Sequence, residues 1–340
     1  MFANKIINWY QINKRELPWR NTQNPYFIWL SEIILQQTRV AQGLPYYNNF
    51  VEKYPTIKKM ADVDEAEVLR TWQGLGYYSR ARNLHFTAKY ITNELNGEFP
   101  SNFNDLQKLK GIGRYTAAAI ASFAFDERVP VVDGNVMRVL TRFYEIAEPI
   151  DKPKTQNTIF EIAQDLISKK SPALFNQAIM ELGATICSPK NPNCLSCPIV
   201  ESCASFKNKS WANFPFKAGK TKVTQREISY LVLYNKEGVF MKERPLGDIW
   251  SKLYDFPEFK VNEFASIENL IHELGFTSIG SIEKVQKKHI LSHQKLSITF
   301  YKIKIEEEMK GNLDASFYDY SQVYAIPKPI VISNYIDENL

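Results

Sequence analysis

The feature that most constrains the fold is a change in hydrophobic periodicity close to residue 225. Before it, apolar residues recur at helical spacing, and VPVV at 129–132 is the one short strand-like run. After it, runs such as REISYLVLYN and HQKLSITFYKIKI alternate apolar and polar residues, with one helical pattern, FASIENLIHELG. The sequence therefore predicts an all-α region followed by a separate α/β domain at residues 226–340.

The intervening residues, 207–225, are basic and lack periodicity, which is typical of an interdomain linker. Within the all-α region, residues 1–23 begin with an amphipathic helix that we expect Pro18 to end. A second helix is predicted to start at Pro25 and to continue without a breaker until Gly43.

Composition limits the class of protein without choosing a function. The 340 residues are 44% hydrophobic and 23% charged, with a formal net charge of +5, which permits a polyanionic partner but does not require one. The amino terminus does not have the pattern of a secretory signal, and no apolar run approaches the roughly 18 residues that cross a bilayer. We therefore expect a cytoplasmic protein with no membrane partner, in which clustered cysteines bind metal rather than form disulfides.

All four cysteines fall within seventeen residues, at Cys187, Cys194, Cys197 and Cys203. Four converging thiolates suit either a tetrahedral zinc ion or a [4Fe-4S] cluster. Structural zinc more often uses two Cys-x-x-Cys pairs, whereas this chain has one pair flanked by single cysteines. The spacing favours an iron-sulfur cluster and leaves zinc as the alternative.

A glycine-punctuated turn, LKGIGRYTAAAI, precedes a predicted helix. Gly111 and Gly113 allow the backbone to approach a partner, and the first amides of the following helix are free to bind a phosphate. The alternative to phosphate binding is that this motif is only a tight turn between two helices.

With VPVVDGNVMRVLTR and the Cys-x6-Cys-x2-Cys-x5-Cys loop after it, this turn resembles the helix-hairpin-helix DNA glycosylases of the endonuclease III branch. Bifunctional members carry a lysine two residues after the second glycine, where this chain has Tyr115. That difference, together with LPWR, WLSEIILQQTRV, GLGYYSRARNL and FNQAIMELGATIC, resembles the monofunctional adenine glycosylases of the MutY family over essentially the whole chain.

The resemblance implies a multidomain fold: an all-α helix-hairpin-helix glycosylase core with a [4Fe-4S] cluster loop, followed by an α/β MutT-like (Nudix-fold) domain. It implies a six-helix domain at 24–130, an iron-sulfur domain from 1–23 plus 131–206, the 207–225 linker and a MutT-like domain at 226–340. The expected partner is double-stranded DNA with adenine opposite 8-oxoguanine or G, bound by a monomer in the bacterial nucleoid. An endonuclease III-like glycosylase/lyase and a non-catalytic DNA-binding module are the rival functions.

By resemblance, Glu32 is the general acid that protonates adenine N7, and Asp133 stabilises the oxocarbenium-like sugar or attacks it. Apolar neighbours of Glu32, including Trp29, would desolvate its carboxyl and keep it protonated to higher pH. Asp133 could also cap the helix that follows it. Asn135 and Tyr115 resemble the family's supporting catalytic residues.

Adenine must leave the stack before its glycosidic bond can be reached, which requires a pocket and a wedge. The resemblance assigns Trp19, Arg20 and Glu181 to the adenine pocket. It assigns the wedge and the contacts with the opposite base to Gln37, Thr38, Leu75 and Tyr77. Leu75 and Tyr77 could equally be core residues.

The carboxy-terminal domain resembles a MutT-like domain without an intact hydrolytic metal site, because Asn269 and His272 replace two of the acids of the Nudix box. KKHILSHQKL resembles the loop that reads 8-oxoguanine, with Ser292 and His293 as the expected contacts. Leu291 stands where the family often has an aromatic residue. Polar residues at a strand end are the alternative interpretation.

Overall fold

The first two thirds of the chain form helices, and the last third forms a sheet flanked by helices. A computed structural model describes residues 2–219, 222–260, 267–276, 281–305 and 313–340. Linker residues 220 and 221 and the start of the predicted FASIENLIHELG helix, 264–266, lie outside the described residues. None of the described helices combines the length and the hydrophobicity that a bilayer crossing requires.

The twelve helices before the sheet have the following bounds. They are α1 Phe2–Asn13, α2 Pro25–Leu35, α3 Val40–Lys53, α4 Ile57–Asp62, α5 Glu65–Thr71, α6 Ser79–Glu94, α7 Phe103–Leu106, α8 Arg114–Phe125, α9 Gly134–Tyr144, α10 Pro153–Leu166, α11 Pro172–Thr185 and α12 Ala204–Lys207. Short 3-10 turns occur at Pro18–Arg20, Cys194–Ser196, Val200–Ser202 and Trp211–Asn213.

Two local predictions were wrong. The first helix ends at Asn13, before Pro18, which instead opens a 3-10 turn. The helix from Pro25 ends at Leu35 rather than continuing to Gly43, since Gln37 adopts a left-handed φ of 58° and a new helix, α3, begins at Val40. The strand-like VPVV run lies outside the sheet, in agreement with the all-α prediction for this region, and the amide of Val131 donates to the side chain of Asn176.

The chain folds into two compact units. Unit 1 comprises Met1–Asp62 and Asn83–Lys220, and unit 2 comprises Val63–Arg82 and Thr221–Leu340. In unit 1, α1, α9, α10 and α11 share a core that contains Ile6, Leu140, Ile159, Ile179 and Leu182, all at most 1% exposed. Helix α2 is buried along most of its length and packs against α8. These packings bring the carboxyl end of α2 and the amino ends of α8 and α9 to one cavity.

The strands of unit 2 are β1 Thr224–Tyr234, β2 Gly238–Glu243, β3 Tyr254–Asp255, β4 Glu258–Phe259, β5 Glu283–Ile290, β6 Gln294–Lys304 and β7 Ser316–Asp319. Its remaining helices are α13 Ile267–Glu273, α14 Tyr320–Ala325 and α15 Ile330–Asn339. The sheet has the order β3-β2-β1-β6-β5, with β4 paired to β1 and β7 paired to β2. Strands β1 and β6 are parallel, with Thr224 opposite Gln294, whereas β5 and β6 form an antiparallel hairpin.

Alternation along β1 places successive side chains on opposite faces of this sheet. Tyr230 joins a core with Phe300 and Tyr335 of α15, and the latter two rings stack at 3.9 Å. Leu231 joins a second core with Leu270 of α13. Helices therefore cover both faces. The sequence predicted a helix only at FASIENLIHELG, so α14 and α15 were missed.

Candidate active site

A cavity of about 600 Å³ in unit 1 collects the residues for which the sequence predicted chemistry. A volume of this order suits a nucleotide-sized ligand. Glu32, Tyr115, Asp133 and Asn135 line it, as do the predicted pocket residues Trp19, Arg20 and Glu181.

Glu32 lies on α2, and Tyr115 is the second residue of α8. The Tyr115 hydroxyl donates a hydrogen bond of 2.5 Å to Glu32 Oε2. Burial raises the pKa of Glu32 to about 7, because the effect of desolvation exceeds the opposing effect of this hydrogen bond. A carboxyl group with this pKa carries its proton near neutral pH and can act as a general acid.

Asp133 is the N-cap of α9, and its Oδ1 accepts a hydrogen bond of 2.7 Å from the Val136 amide. The Asn135 side chain donates to Asp133 Oδ2 over 2.7 Å. Burial raises the pKa of Asp133, while these donors act in the opposite direction because they bind the ionised form. The side chain of Asp133 therefore caps α9 and lines the cavity at the same time.

Arg138 holds Asn135 in place and was not singled out in the sequence. Its Nη2 donates to Asn135 Oδ1 over 2.8 Å and to the carbonyl of Gly183 over 2.7 Å. A Cβ atom at Gly183 would lie 2.7 Å from Asn135 Cβ, so the close approach of α11 to α9 requires glycine. Arg138 Nε also donates to the Cys187 carbonyl over 2.7 Å, which links this end of α9 to the cysteine loop.

Glu181 is fully buried and forms ion pairs with two arginines. Arg15 Nε donates to its Oε1 over 2.7 Å, and Arg20 Nη2 donates to its Oε2 over 2.6 Å. Burial alone would raise the pKa of Glu181, but the hydrogen bonds from Arg15 and Arg20 outweigh it and lower the pKa to about 2. Arg15 is a cavity residue that the sequence reasoning missed, although it stands close before LPWR.

Trp19 is largely buried, and its ring meets that of Tyr47 edge to face at 5.1 Å. Thr38 also lines the cavity, whereas Gln37 is exposed. Among the described residues, Thr38 therefore belongs to the wall of this cavity and Gln37 does not.

The predicted helix-hairpin-helix turn lies between α7 and α8. Gly111 has φ of 78°, and a Cβ there would lie 2.7 Å from Asn83 Cβ, so both conformation and space require glycine. Gly113 is the N-cap of α8, and a Cβ there would meet open space. The first amides of α8 have no carbonyl partner within the helix, which is a suitable site for a phosphate.

Cys187, Cys194, Cys197 and Cys203 line one small cavity with Trp211 and Phe206. Arg142 stabilises this loop by donating to the Ser188 carbonyl over 2.7 Å and to Cys187 Sγ over 3.4 Å. Among the described residues, no three His, Cys, Asp or Glu side chains form a group that could hold a single metal ion. Four thiolate donors around one space nevertheless match the ligand set of an iron-sulfur cluster.

A second cavity, of about 410 Å³, lies within unit 2. Leu75, Tyr77, Ser292 and His293 line it. Of the residues predicted to contact the opposite base, Thr38 therefore lies in the first cavity, these four lie in the second, and Gln37 lines neither. Leu75 is buried, whereas 41% of the Tyr77 side chain is exposed. Ser292 is exposed at the tip of the β5–β6 hairpin, where the Leu291 amide bonds to the Gln294 carbonyl over 2.8 Å.

Asn269 and His272 lie on α13, which packs beneath the sheet through Leu270 and Ile271. That they replace two of the acids of a Nudix magnesium site stays a prediction from the sequence.

Fold and site together define a helix-hairpin-helix DNA glycosylase joined to a NUDIX domain. The model of the HhH-GPD superfamily of base excision DNA repair proteins matches residues 30–165, and that of the NUDIX domain matches residues 229–338. The chain belongs to the adenine DNA glycosylase family and is a DNA glycosylase of base excision repair.

Bacterial and eukaryotic relatives both support this assignment. An adenine DNA glycosylase of Buchnera aphidicola from Acyrthosiphon pisum is 32% identical over 97% of this chain and 95% of its own length. One from Buchnera aphidicola of Schizaphis graminum is 38% identical over 76% of this chain and 75% of its own. The human adenine DNA glycosylase is 32% identical over 90% of this chain and 67% of its own.

Solved structures agree on the fold of the first two thirds. A thermostable thymine-DNA glycosylase is 27% identical, with a TM-score of 0.57 over 61% of this chain and 95% of that one. An endonuclease III in a non-covalent complex with DNA is 24% identical, with a TM-score of 0.51 over 61% of this chain and 94% of that one. The second likeness supports the fold alone.

Proposed function

We propose that this adenine DNA glycosylase removes adenine opposite 8-oxoguanine, and opposite G, by acid-assisted hydrolysis without cleaving the strand. The observation that carries the chemical part is the contact between Tyr115 and Glu32 in the cavity that also holds Asp133. It supports one protonated and one ionisable carboxyl group at a single site.

Glu32 acts as the general acid. Its raised pKa keeps the carboxyl protonated near neutral pH, so it can transfer a proton to adenine N7. Protonation withdraws electrons from the base, and the C1′–N9 bond breaks with its electron pair leaving on adenine. Tyr115 fixes the orientation of the Glu32 carboxyl during this step.

Asp133 acts on the sugar. Departure of adenine leaves positive charge on C1′ and the ring oxygen, and a carboxylate nearby stabilises that charge. The Val136 amide and the Asn135 side chain favour the ionised form of Asp133 and orient it. Water then adds to C1′ and loses a proton to a carboxylate, which completes hydrolysis.

Strand cleavage through a Schiff base requires an amine at the site. Tyr115 supplies a hydroxyl at the position where bifunctional relatives have lysine, and that hydroxyl is engaged with Glu32. The described residues that line this cavity include arginines but no lysine. These observations support a monofunctional glycosylase over the glycosylase/lyase alternative.

Recognition of the opposite base is proposed for the cavity of unit 2. The hydroxyl of Ser292 can donate to or accept from a base edge, and His293 Nδ1 lies 3.3 Å from it. The exposed ring of Tyr77 provides an aromatic surface in the same cavity. Such groups can read the carbonyl and N–H edge that distinguishes 8-oxoguanine from G.

The cysteine loop is proposed to hold a [4Fe-4S] cluster through Cys187, Cys194, Cys197 and Cys203. When bound, the cluster would crosslink the loop after α11 and keep it packed against Arg142 of α9. Iron and inorganic sulfide analysis of the purified protein tests this assignment. Zinc in place of iron and sulfide would contradict it.

A duplex with adenine opposite 8-oxoguanine tests the reaction. After incubation, the sample is divided and half is heated in alkali, which breaks the strand at abasic sites. Breakage only after alkali is the expected result. Breakage without alkali would contradict the role of Tyr115, and a lack of breakage in both halves would favour the binding module.

The same assay with adenine opposite 8-oxoguanine, G, C or T tests substrate choice. Faster release opposite 8-oxoguanine and G is expected. Equal release opposite all four bases would contradict recognition of the opposite base.

A further inference from the structure

Trp250 lies in a loop between β2 and β3 of unit 2 and lines the 410 Å³ cavity together with Tyr77 and Ser292. The indole is half-buried. Its ring centroid lies 5.9 Å from that of His289, and the Arg244 guanidinium lies over the ring, 5.9 Å from its centroid. The indole therefore forms part of a cavity wall while keeping some accessible surface.

The backbone at Trp250 has φ of 59°, a left-handed conformation that costs free energy for a residue with a bulky side chain. Such a conformation persists when surrounding contacts fix it. The Trp250 carbonyl accepts from the Leu253 amide over 3.0 Å, and the neighbouring Ile249 carbonyl accepts from Arg244 Nε over 3.2 Å. These bonds to backbone carbonyls hold the loop in place at Trp250.

An ion-pair network supports the same loop. Asp248 receives two hydrogen bonds from Arg226, of 2.6 and 2.8 Å, and one of 2.6 Å from Arg244 Nη2. Arg244 is buried and also pairs with the fully buried Asp255 at 2.5 Å. Buried pairs of this kind fix orientation, because moving one partner would leave the other charge uncompensated.

The loop is also joined to the segment that carries Tyr77. Arg82 Nη1 donates to the Ser251 carbonyl over 2.8 Å, next to Trp250. The β5–β6 hairpin with Ser292 forms the other wall of the cavity through His289. Trp250 therefore lies between two segments expected to contact the opposite base.

Leu291 precedes Ser292 in this chain, so the hairpin tip lacks an aromatic ring at that position. Burial lowers the pKa of His289, which favours the neutral form of the imidazole that packs against the indole. The large aromatic surfaces of the cavity consequently come from Trp250 and the tyrosines of the 74–79 segment.

We propose that Trp250 contacts the face of the base opposite the excised adenine and supplies stacking that Leu291 does not. This proposal rests on the proposed recognition of 8-oxoguanine by unit 2. Stacking on an indole depends on the flat surface of a purine and is similar for 8-oxoguanine and G, whereas the hydroxyl of Ser292 distinguishes their edges. Trp250 thus contributes affinity for an opposite purine, and Ser292 contributes the choice between purines.

The test measures duplex binding by full-length wild type, Trp250→Ala and Trp250→Phe. The target adenine carries a 2′-fluoro sugar to block release, and the opposite nucleotide is 8-oxoguanine, G or an abasic analogue. With either purine, Trp250→Ala should bind roughly 5- to 100-fold more weakly than wild type, and Trp250→Phe should restore most of the loss. With the abasic analogue, wild type and Trp250→Ala should bind equally.

The abasic duplex separates base contact from a purely structural role. A loss of affinity that persists on it would overturn the proposal, as would unchanged binding of both purine duplexes by Trp250→Ala. Tyr324→Ala is the matched control, because this exposed ring belongs to unit 2 but does not line the cavity. Thermal unfolding of each variant verifies that the fold is retained.

Failure of the proposed function gives a different result. In that case wild type itself would bind the 8-oxoguanine duplex no better than the abasic one. If wild type prefers the purine duplexes and Trp250→Ala keeps that preference, only the assignment of Trp250 is wrong.

Discussion

The Tyr115 hydroxyl and the Glu32 carboxyl, 83 residues apart in the chain, share a hydrogen bond of 2.5 Å inside the cavity of unit 1. This contact joins the first turn of α8 to the carboxyl group assigned to acid catalysis. It also opposes the effect of burial on the pKa of Glu32.

Replacing Tyr115 by Phe should change the pH dependence of adenine release. The hydrogen bond from Tyr115 lowers the pKa of Glu32, so its loss should move that pKa above about 7. The acid would stay protonated to higher pH, and the alkaline limb of the profile should shift upward. Single-turnover release rates across this pH range provide the measurement. Tyr144→Phe, a half-exposed tyrosine of the same unit, should leave the profile unchanged.

Glu32→Gln should retain duplex binding and lose base release by about a hundredfold or more, because an amide cannot donate the catalytic proton. Binding to uncleaved duplex and single-turnover release are measured on the same preparation. Glu161→Gln on the exposed side of α10 is the matched control. Retained release in Glu32→Gln would exclude Glu32 as the acid.

Glu32 should also make stability depend on pH. The pKa of Glu32 rises from 4.5 to about 7 on folding. Its contribution to the free energy of unfolding is therefore fully present below pH 4.5 and is lost as the pH rises through 7. At about 1.4 kcal/mol per pH unit, the loss is on the order of 3 kcal/mol. Denaturant unfolding should therefore show that wild type loses stability relative to Glu32→Gln across this interval. A constant difference would contradict the raised pKa.

Substitutions at Asp133 should separate its two roles. Asp133→Asn keeps an oxygen that can accept from the Val136 amide, whereas Asp133→Ala removes the cap of α9. Both variants should lose adenine release, but Ala should cost about 1 kcal/mol more in the free energy of unfolding. Release retained by Asp133→Asn would show that the residue acts only as a cap.

Ser292→Ala should reduce the preference for 8-oxoguanine over G several-fold, as expected for one lost hydrogen bond of about 1 kcal/mol. The ratio of release rates opposite the two bases is the measurement. Ser281→Ala, also exposed in unit 2, should leave the ratio unchanged. A ratio that is equally unchanged in Ser292→Ala would place recognition elsewhere in the chain.

The change from helical to alternating periodicity predicted the two fold classes correctly, because periodicity reports which faces of an element are buried. It did not predict the break between α2 and α3. The apolar pattern continues past Leu35, whereas Gln37 leaves the helix with a left-handed φ. Pro45 and Gly43, which suggest interruption, lie inside α3.

Side-chain neighbours were predictable only where they are local or where a resemblance supplied them. The capping role of Asp133 follows from its position before α9. Glu181 pairs with Arg15 and Arg20, which lie more than 160 positions away in the chain. Local sequence patterns cannot predict contacts between residues so far apart.

The sequence by itself determined the succession of an all-α region and an α/β domain, the clustering of the four cysteines, and the identity of residues such as Glu32, Tyr115 and Ser292. Tertiary structure decided which of them meet. Packing of α2 against α8 brings Glu32 to Tyr115, and the grouping of residues 63–82 with the carboxy-terminal sheet brings Tyr77 to the cavity of Ser292. The physical reason is that periodicity and spacing encode contacts within an element, whereas a cavity is formed by distant elements whose buried faces fit together.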